Sequence, residues 1–324
     1  MSLASVIVPT VVGGARLERL VASLADRPSG VEVIVVDNGS TEPGVGRLGD
    51  RFEGVRAIRL ERNTGYSHAV NVAAREASGR ALVLLNDDSV CEPGYVEAIV
   101  SALDPAASVT MAAGVMREAR DPARIDTAGM QLDRTLLVFD YLNGEPVACL
   151  DDGVGDPIGP SGAAAALDRD AFLRVGGFDE ALFAYWEDVD LVLRMRLAGG
   201  RCALAPEARG THAHSATLGP GSRRKNYLMG FGRGYVLRKW GVVRDPRRLA
   251  QVLLTDGAVC AGQLLVDRSA SGISGRLQGF RAARRRSPFP DSALAGQAVV
   301  DGPLRTLARR ARRRARLRRS AATD

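Results

Sequence analysis

The chain reads as an α/β protein with a mostly parallel sheet covered by helices on both faces. Three observations predict this. Short apolar, β-branched runs recur through the first part of the chain, and stretches with apolar residues at three- and four-residue spacing alternate with them. Polar residues (Thr10, Asp37, Asn63, Asp88) stand just past the ends of those runs. That is the rim where open α/β sheets gather their ligands.

Taken in order, Ala4 to Val8 is the first strand and stops at Pro9 and Thr10. Leu17, Leu20, Val21 and Leu24 mark a helix. Val31 to Val36 is the second strand and runs into Asp37-Asn38-Gly39-Ser40. Val55 to Leu60 is the third, followed by Asn63-Thr64-Gly65, and a helix over Ser67 to Ala77 leads to the strand Ala81 to Leu85. Repeated βα units of this length imply parallel strands with crossover helices. The last strand runs directly into Asn86-Asp87-Asp88. Two adjacent carboxylates repel each other, and a bound Mg²⁺ or Mn²⁺ would resolve that repulsion. A loop whose acids cap the next helix is the plain alternative. The segment Gly44 to Gly49 satisfies GxGxxG, but it does not begin at the end of a first strand as a dinucleotide site requires.

Signals then weaken. Met111 to Val115 reads as a strand, Thr127 to Asp140 as a hairpin, and Asp151-Asp152-Gly153 as a mobile loop bordering a pocket. Gly162 to Leu167 reads as a strand and Asp170 to Val175 as a short helix. Next come Gly176-Gly177-Phe178-Asp179-Glu180 and Tyr185-Trp186-Glu187-Asp188-Val189-Asp190, where a helix starts near Asp188 and stops at Gly199-Gly200. A helix N-cap accounts for one of these acids; a positioned general base accounts better for a cluster preceded by two aromatics. Two of the three histidines, His212 and His214, sit in one strand-like stretch where alternate residues share a face.

The net charge of +7 is concentrated late in the chain. Ser222 to Gly241 mixes arginine and lysine with Tyr227, Phe231, Tyr235 and Trp240, as in helices that lie on an anionic membrane surface. Arg305 to Arg319 is an arginine-rich tail, expected to be flexible. Nucleic acid is disfavoured as a partner, because that tail lacks stacking aromatics. Leu249 to Val266 is interrupted by Gln251, Asp256 and Gln263, which argues against a membrane span. The opening MSLASVIVPT has no leader pattern, and the four scattered cysteines read as reduced thiols. The expectation is a cytoplasmic protein, peripheral on the inner membrane face. The expected divisions are a catalytic domain over 1–220, a basic helical extension over 221–280 and the tail over 281–324.

With these residues in place, the chain resembles family 2 glycosyltransferases of the rhamnosyltransferase-like branch, from about Ser5 to Lys239. VIVPT, DNGS, NTGY with Asn71 downstream, LLNDD, GGFDE followed by YWEDVDLVLR, and PEARGTHAHSAT occur in the family's order. The resemblance implies a GT-A fold and inverting transfer of a sugar, rhamnose or another deoxysugar, from a nucleoside-diphosphate-sugar donor. The implied acceptor is a hydroxyl of a glycan or lipid-linked molecule of the cell envelope. It implies that Pro9, Thr10, Asp37, Asn63, Asn71, Asn86 and Asp87 face the nucleotide, and that Asp88 and His212 hold Mg²⁺ or Mn²⁺. Asp188 would be the catalytic base with Glu187 beside it, and Asp179, Tyr185 and Trp186 would face the acceptor. A sugar nucleotidyltransferase and a non-catalytic membrane or nucleic-acid adaptor are the alternatives.

Overall fold

A computed structural model describes residues 2–41, 44–213 and 221–284, together with 290, 299–300 and 308. The strands are β1 (Ser2–Thr10), β2 (Val31–Asn38), β3 (Val55–Leu60), β4 (Gly79–Leu85), β5 (Ser89–Cys91), β6 (Val109–Glu118), β7 (Ile125–Thr127), β8 (Met130–Asp133), β9 (Val138–Asp140), β10 (Ala164–Asp168), β11 (Arg201–His212) and β12 (Val299–Val300). The helices are α1 (Gly14–Ser23), α2 (Leu48–Arg51), α3 (Tyr66–Glu76), α4 (Tyr95–Ser101), α5 (Arg169–Arg174), α6 (Glu187–Leu197), α7 (Arg223–Lys239), α8 (Pro246–Val266) and α9 (Ser271–Ala282).

The chain divides into two units, Met1–Met130 with Asp140–Ala216, and Gln131–Phe139 with Thr217–Asp324. The first holds one large sheet in the order β3-β2-β1-β4-β10-β6-β11-β5, with β7 paired to β6. Strands β3, β2, β1 and β4 are parallel, as the βα pattern predicts. Beyond them the sheet is mixed: β10 runs antiparallel to both β4 and β6, while β6 and β11 are parallel. A run such as Ala164 to Leu167 specifies burial but carries no direction. Alternation along the strands divides the core. Val6, Val8, Val33, Val35, Val83 and Leu85 share one buried cluster with Leu17, Leu20, Val21 and Leu24 of α1, and with Tyr95, Val96 and Ile99 of α4. The ends of β1, β2 and β4 align because Thr10 lies opposite Asp37 and Ile7 opposite Leu84.

The second unit contains α7, α8, α9 and the hairpin β8–β9, whose turn is built on Asp133. Oδ1 of Asp133 accepts from the Thr135 amide at 2.8 Å, the Thr135 hydroxyl at 2.6 Å and the Leu137 amide at 2.9 Å. The hairpin therefore belongs to the same compact unit as the C-terminal helices. Fully buried Arg233 fixes it there. Its Nε donates to both oxygens of Asp256 at 3.2 and 2.9 Å, and its other nitrogens donate to the Thr135 carbonyl and hydroxyl.

Helix α7 corrects one expectation. The Ser222–Gly241 stretch is not a helix lying free on a surface, because Arg233, Tyr235, Val236, Leu237, Lys239 and Trp240 are all buried. Glycines bring α7 and α9 into backbone contact: a Cβ on Gly230 or Gly234 would collide with the carbonyls of Gly272 or Arg276. A second correction concerns Leu249 to Val266. Its polar residues do not interrupt it, and α8 is one continuous helix of 21 residues, long and apolar enough to cross a membrane by length and composition. Residues 285–289 and most of the expected arginine-rich tail lie outside the described residues.

Candidate active site

The rim of the first unit's sheet is a hydrogen-bonded platform. At the end of β1, the Thr10 hydroxyl donates to Oδ2 of Asp87 at 2.6 Å and accepts from the Gly13 amide at 2.9 Å. It thereby ties the opening of α1 to the turn after β4. Arg16 of α1 stands 3.8 Å from Oδ1 of Asp87. Burial pushes the Asp87 carboxyl up, and the Thr10 hydrogen bond and Arg16 offset only part of that. Pro9 is half-buried next to Thr10.

The end of β2 works through two residues. Asp37 accepts from the Ser40 amide at 2.9 Å and pairs with Arg59. Asn38, which the sequence reading passed over in favour of Asp37, is the pivot. Its side-chain oxygen accepts from the amide and hydroxyl of Thr64 at 2.8 and 3.0 Å, and its nitrogen donates to Asn63 and to the Gly65 carbonyl. The Asn63 oxygen also receives the Gly65 amide at 3.0 Å. Gly65 has φ +91°, and a Cβ there would strike the Phe183 carbonyl, so only glycine brings α3 this close to the segment before α6. Asn71, expected on the nucleotide side, has both ends of its amide committed elsewhere. It bonds the Phe178 amide and carbonyl and Oε1 of Glu180, clamping α3 to the GGFDE turn.

After β4, Asp88 meets His212 from the end of β11, with Oδ1 and Nε2 3.1 Å apart. Asn86 lies 3.3 Å from the same nitrogen. The other ring nitrogen, Nδ1, is 2.9 Å from Oδ2 of Asp126 on β7. Burial depresses the imidazole, but hydrogen bonds to Asp126 and Asp88 outweigh it and push His212 up to about 10. Burial likewise raises Asp88, and His212 outweighs that to bring it below the ordinary carboxylate value. Asp126 was not singled out from the sequence, where it stands alone in RIDTAG with no local pattern to mark it. His214 lies outside the described residues.

Among the described residues no group of three or more His, Cys, Asp or Glu side chains could hold a metal ion by themselves. The Asp88–His212 pair is nonetheless suited to a hard or borderline divalent cation. It offers a carboxylate oxygen and an imidazole nitrogen side by side, with Nδ1 anchored by Asp126 as in carboxylate–histidine–metal arrangements. A substrate and water would have to complete the coordination.

The start of α6 brings Asp188 beside Leu84 near the end of β4. Tyr185 and Trp186 both have positive φ, 68° and 75°, a strained entry for two aromatic residues. Trp186 is the N-cap, so Glu187 and Asp188 occupy the first turn, where the helix dipole favours negative charge. Trp186 is only 4% exposed, so its ring offers no open face to an acceptor as the sequence reading expected. Tyr185 is half-buried, and Asp179 accepts from the Ala181 amide at 3.2 Å. Asp188 borders a small cavity with Leu84 of β4, Gly162, Phe178 and Val192. Burial pushes Asp188 up to about 6, against the amides of Val189 and Gly162, which favour its charged form. Burial and the neighbouring Asp188 push Glu187 up as well, and its buried Oε2 has no hydrogen-bond partner among the described residues. The Tyr66 hydroxyl donates to the Gly162 carbonyl at 2.9 Å, joining α3 to this corner.

Two family models match the stretches that include these strand ends. The model described as glycosyl transferase family 2 matches residues 5–132, and that described as glycosyl transferase family group 2 matches residues 81–269. A curated relative from Mycobacterium tuberculosis, N-acetylglucosaminyl-diphospho-decaprenol L-rhamnosyltransferase, is 31% identical over 245 residues, covering 67% of this chain and 78% of that protein. The chain belongs to glycosyltransferase family 2. It is similar to the rhamnosyltransferase-like members in particular. The pre-mycofactocin glycosyltransferase of the same organism is 28% identical over 293 residues, 86% of this chain and 57% of its own length. Two solved structures share the GT-A fold. GalNAc-T7 with UDP, GalNAc and Mn²⁺ superposes with a TM-score of 0.61 at 15% identity, covering 86% of this chain and 56% of that one. The Pyrobaculum calidifontis mannosyltransferase PcManGT with GDP-Man and Mn²⁺ gives 0.54 at 18%, covering 87% and 76%.

Proposed function

We propose that this glycosyltransferase moves a sugar, rhamnose or another deoxysugar, from a nucleoside-diphosphate donor to a hydroxyl of a lipid-linked or other cell-envelope glycan, with inversion at the anomeric carbon. The observation that carries the mechanism is Asp188, a carboxyl raised to about 6 on the first turn of a rigid helix beside the strand rim. A base of that affinity is mostly ionised at neutral pH and still takes a proton readily. Asp188 accepts the proton of the acceptor hydroxyl as its oxygen attacks the anomeric carbon, and the nucleoside diphosphate departs from the opposite face. Glu187, a buried neighbour whose carboxyl burial and Asp188 both push up, orients Asp188 or the acceptor.

Thr10, Asp37, Asn63 and Asn86 face the donor on the rim, with Asn38 holding the NTGY turn in place. Arg16, beside Asp87, adds positive charge where a diphosphate would lie. Asp88 and Nε2 of His212 would hold Mg²⁺ or Mn²⁺, and such an ion, when bound, offsets the charge developing on the leaving diphosphate. Much of the acceleration is positioning of donor and acceptor on one rigid rim. A cytoplasmic enzyme at the inner membrane face fits a lipid-linked acceptor. The test is incubation with dTDP-rhamnose, other nucleotide sugars and a lipid-linked acceptor, reading the anomeric configuration of the product by NMR. An inverted glycoside supports the proposal. A retained configuration, or release of pyrophosphate from a nucleoside triphosphate, would replace it.

A further inference from the structure

Helix α8 is built with its faces reversed. The polar side chains along it turn toward the rest of their own unit. Asp256 bonds Arg233, Gln251 bonds Asp133 at 3.3 Å, Gln263 bonds Asn226 at 3.1 Å, and Thr255 is fully buried. The opposite side is apolar and open. Leu253 is 67% exposed, Leu254 51% and Leu265 81%, and Leu249, Ala258 and Ala261 are exposed along the same stripe at three- and four-residue spacing. Between Arg248 and Asp267 the only charged residue is Asp256, which is buried, so nothing charged interrupts the stripe. Surface helices of water-soluble proteins show the opposite polarity, and an exposed apolar strip of this length marks a contact surface.

We infer that the outer face of α8 lies in the plane of an anionic lipid surface, as a shallow amphipathic anchor. The charges at its amino-terminal end favour lipid over a second copy of the chain. Exposed Arg244 and Arg247 and half-buried Arg248 outnumber exposed Asp245 at the start of the helix, whereas Arg268 past its end stands beside Asp267. Anionic headgroups would be attracted to that net-basic start, whereas the far end of an antiparallel second copy, where Asp267 offsets Arg268, would offer it no net charge. A crossing orientation is disfavoured by the inner face, whose ion pair and amide contacts tie α8 to its own unit along its length. Membrane contact thus falls on α8 rather than on buried α7. The inference deepens the lipid-linked acceptor reading and rests on it for its purpose.

Flotation of the full-length protein with phosphatidylcholine vesicles, with and without phosphatidylglycerol, tests it beside the double variant Leu253→Glu/Leu265→Glu. Both side chains are exposed, so the fold is spared, and nucleotide binding measured in parallel reports on the catalytic unit. The expected result is flotation that depends on phosphatidylglycerol, weakens with salt and is stripped by alkaline carbonate. The variant should partition at least about 100-fold less, since two leucines that would be buried in lipid are replaced by charges. Equal flotation of variant and parent would overturn the inference, as would resistance to carbonate. So would failure of the parent to float, whether it proves monomeric or forms a dimer that the substitutions split. Failure of transfer to any acceptor, with flotation intact, would instead count against the catalytic reading alone.

Discussion

Replacing Asp188 by Asn should separate stability from catalysis. A carboxyl pushed from its ordinary 3.8 to about 6 costs about 3 kcal/mol to ionise in place. Below the unfolded value both states hold the proton and no penalty exists. Between about 4 and 6 the unfolded chain gives up its proton while the folded protein keeps it, so stability falls as pH rises, and above about 6 the whole penalty is present. Asparagine keeps the shape without the charge. The gain falls short of the full figure because the amides of Val189 and Gly162 lose a charged acceptor. We expect Asp188→Asn to be about 1–3 kcal/mol more stable than the parent at pH 7 and indistinguishable from it near pH 4. Its turnover should be about 10²–10⁴-fold lower, with donor affinity little changed. Denaturant titration across pH 4 to 8, paired with transfer rates, makes the comparison. A variant that turns over normally, or that is less stable than the parent at neutral pH, would refute the reasoning.

Three further outcomes follow from other parts of the structure. The kcat/KM of the parent should rise with pH through about 6 as Asp188 gives up its proton, and a flat profile from pH 5 to 7 would remove it as the base. Asp126→Ala removes the acceptor that anchors Nδ1 of His212 and should weaken Mn²⁺ affinity by about 10–100-fold in calorimetry with nucleotide present, leaving the melting behaviour of the second unit unaltered. Arg233→Met removes the hydrogen-bonded partner of buried Asp256, leaving Arg276 at 3.9 Å, and should cost about 3 kcal/mol of stability, read by thermal or denaturant unfolding; a neutral effect would show that the ion pair does not hold α7, α8 and the β8–β9 hairpin together.

Much of the first unit was legible in the sequence because its strands are continuous apolar runs and its site residues sit where those runs stop. Val55–Leu60 occurs as predicted, and β1, β2 and β4 differ only at their ends. Legibility fails where polar side chains build the structure. A hairpin over Thr127 to Asp140 was legible, but not that Asp133 builds its turn with Thr135 and Leu137, nor that Arg233 joins it to the C-terminal helices, which no periodicity reveals. Asp126 and Asn38 act through partners distant in sequence, so local patterns give them no weight. Helix α8 shows the same limit from the other side. Spacing locates its apolar stripe, but the burial of Asp256 against Arg233 decides that the stripe faces outward.

If the strand rim binds a nucleoside diphosphate with a cation held at Asp88 and His212, calorimetric titration of the purified protein with UDP and dTDP, with and without Mn²⁺, beside Asp88→Ala, will show it. Binding should require Mn²⁺ and be lost in Asp88→Ala while the fold is kept. Nucleotide binding of equal strength without the cation, or undiminished in Asp88→Ala, would contradict it.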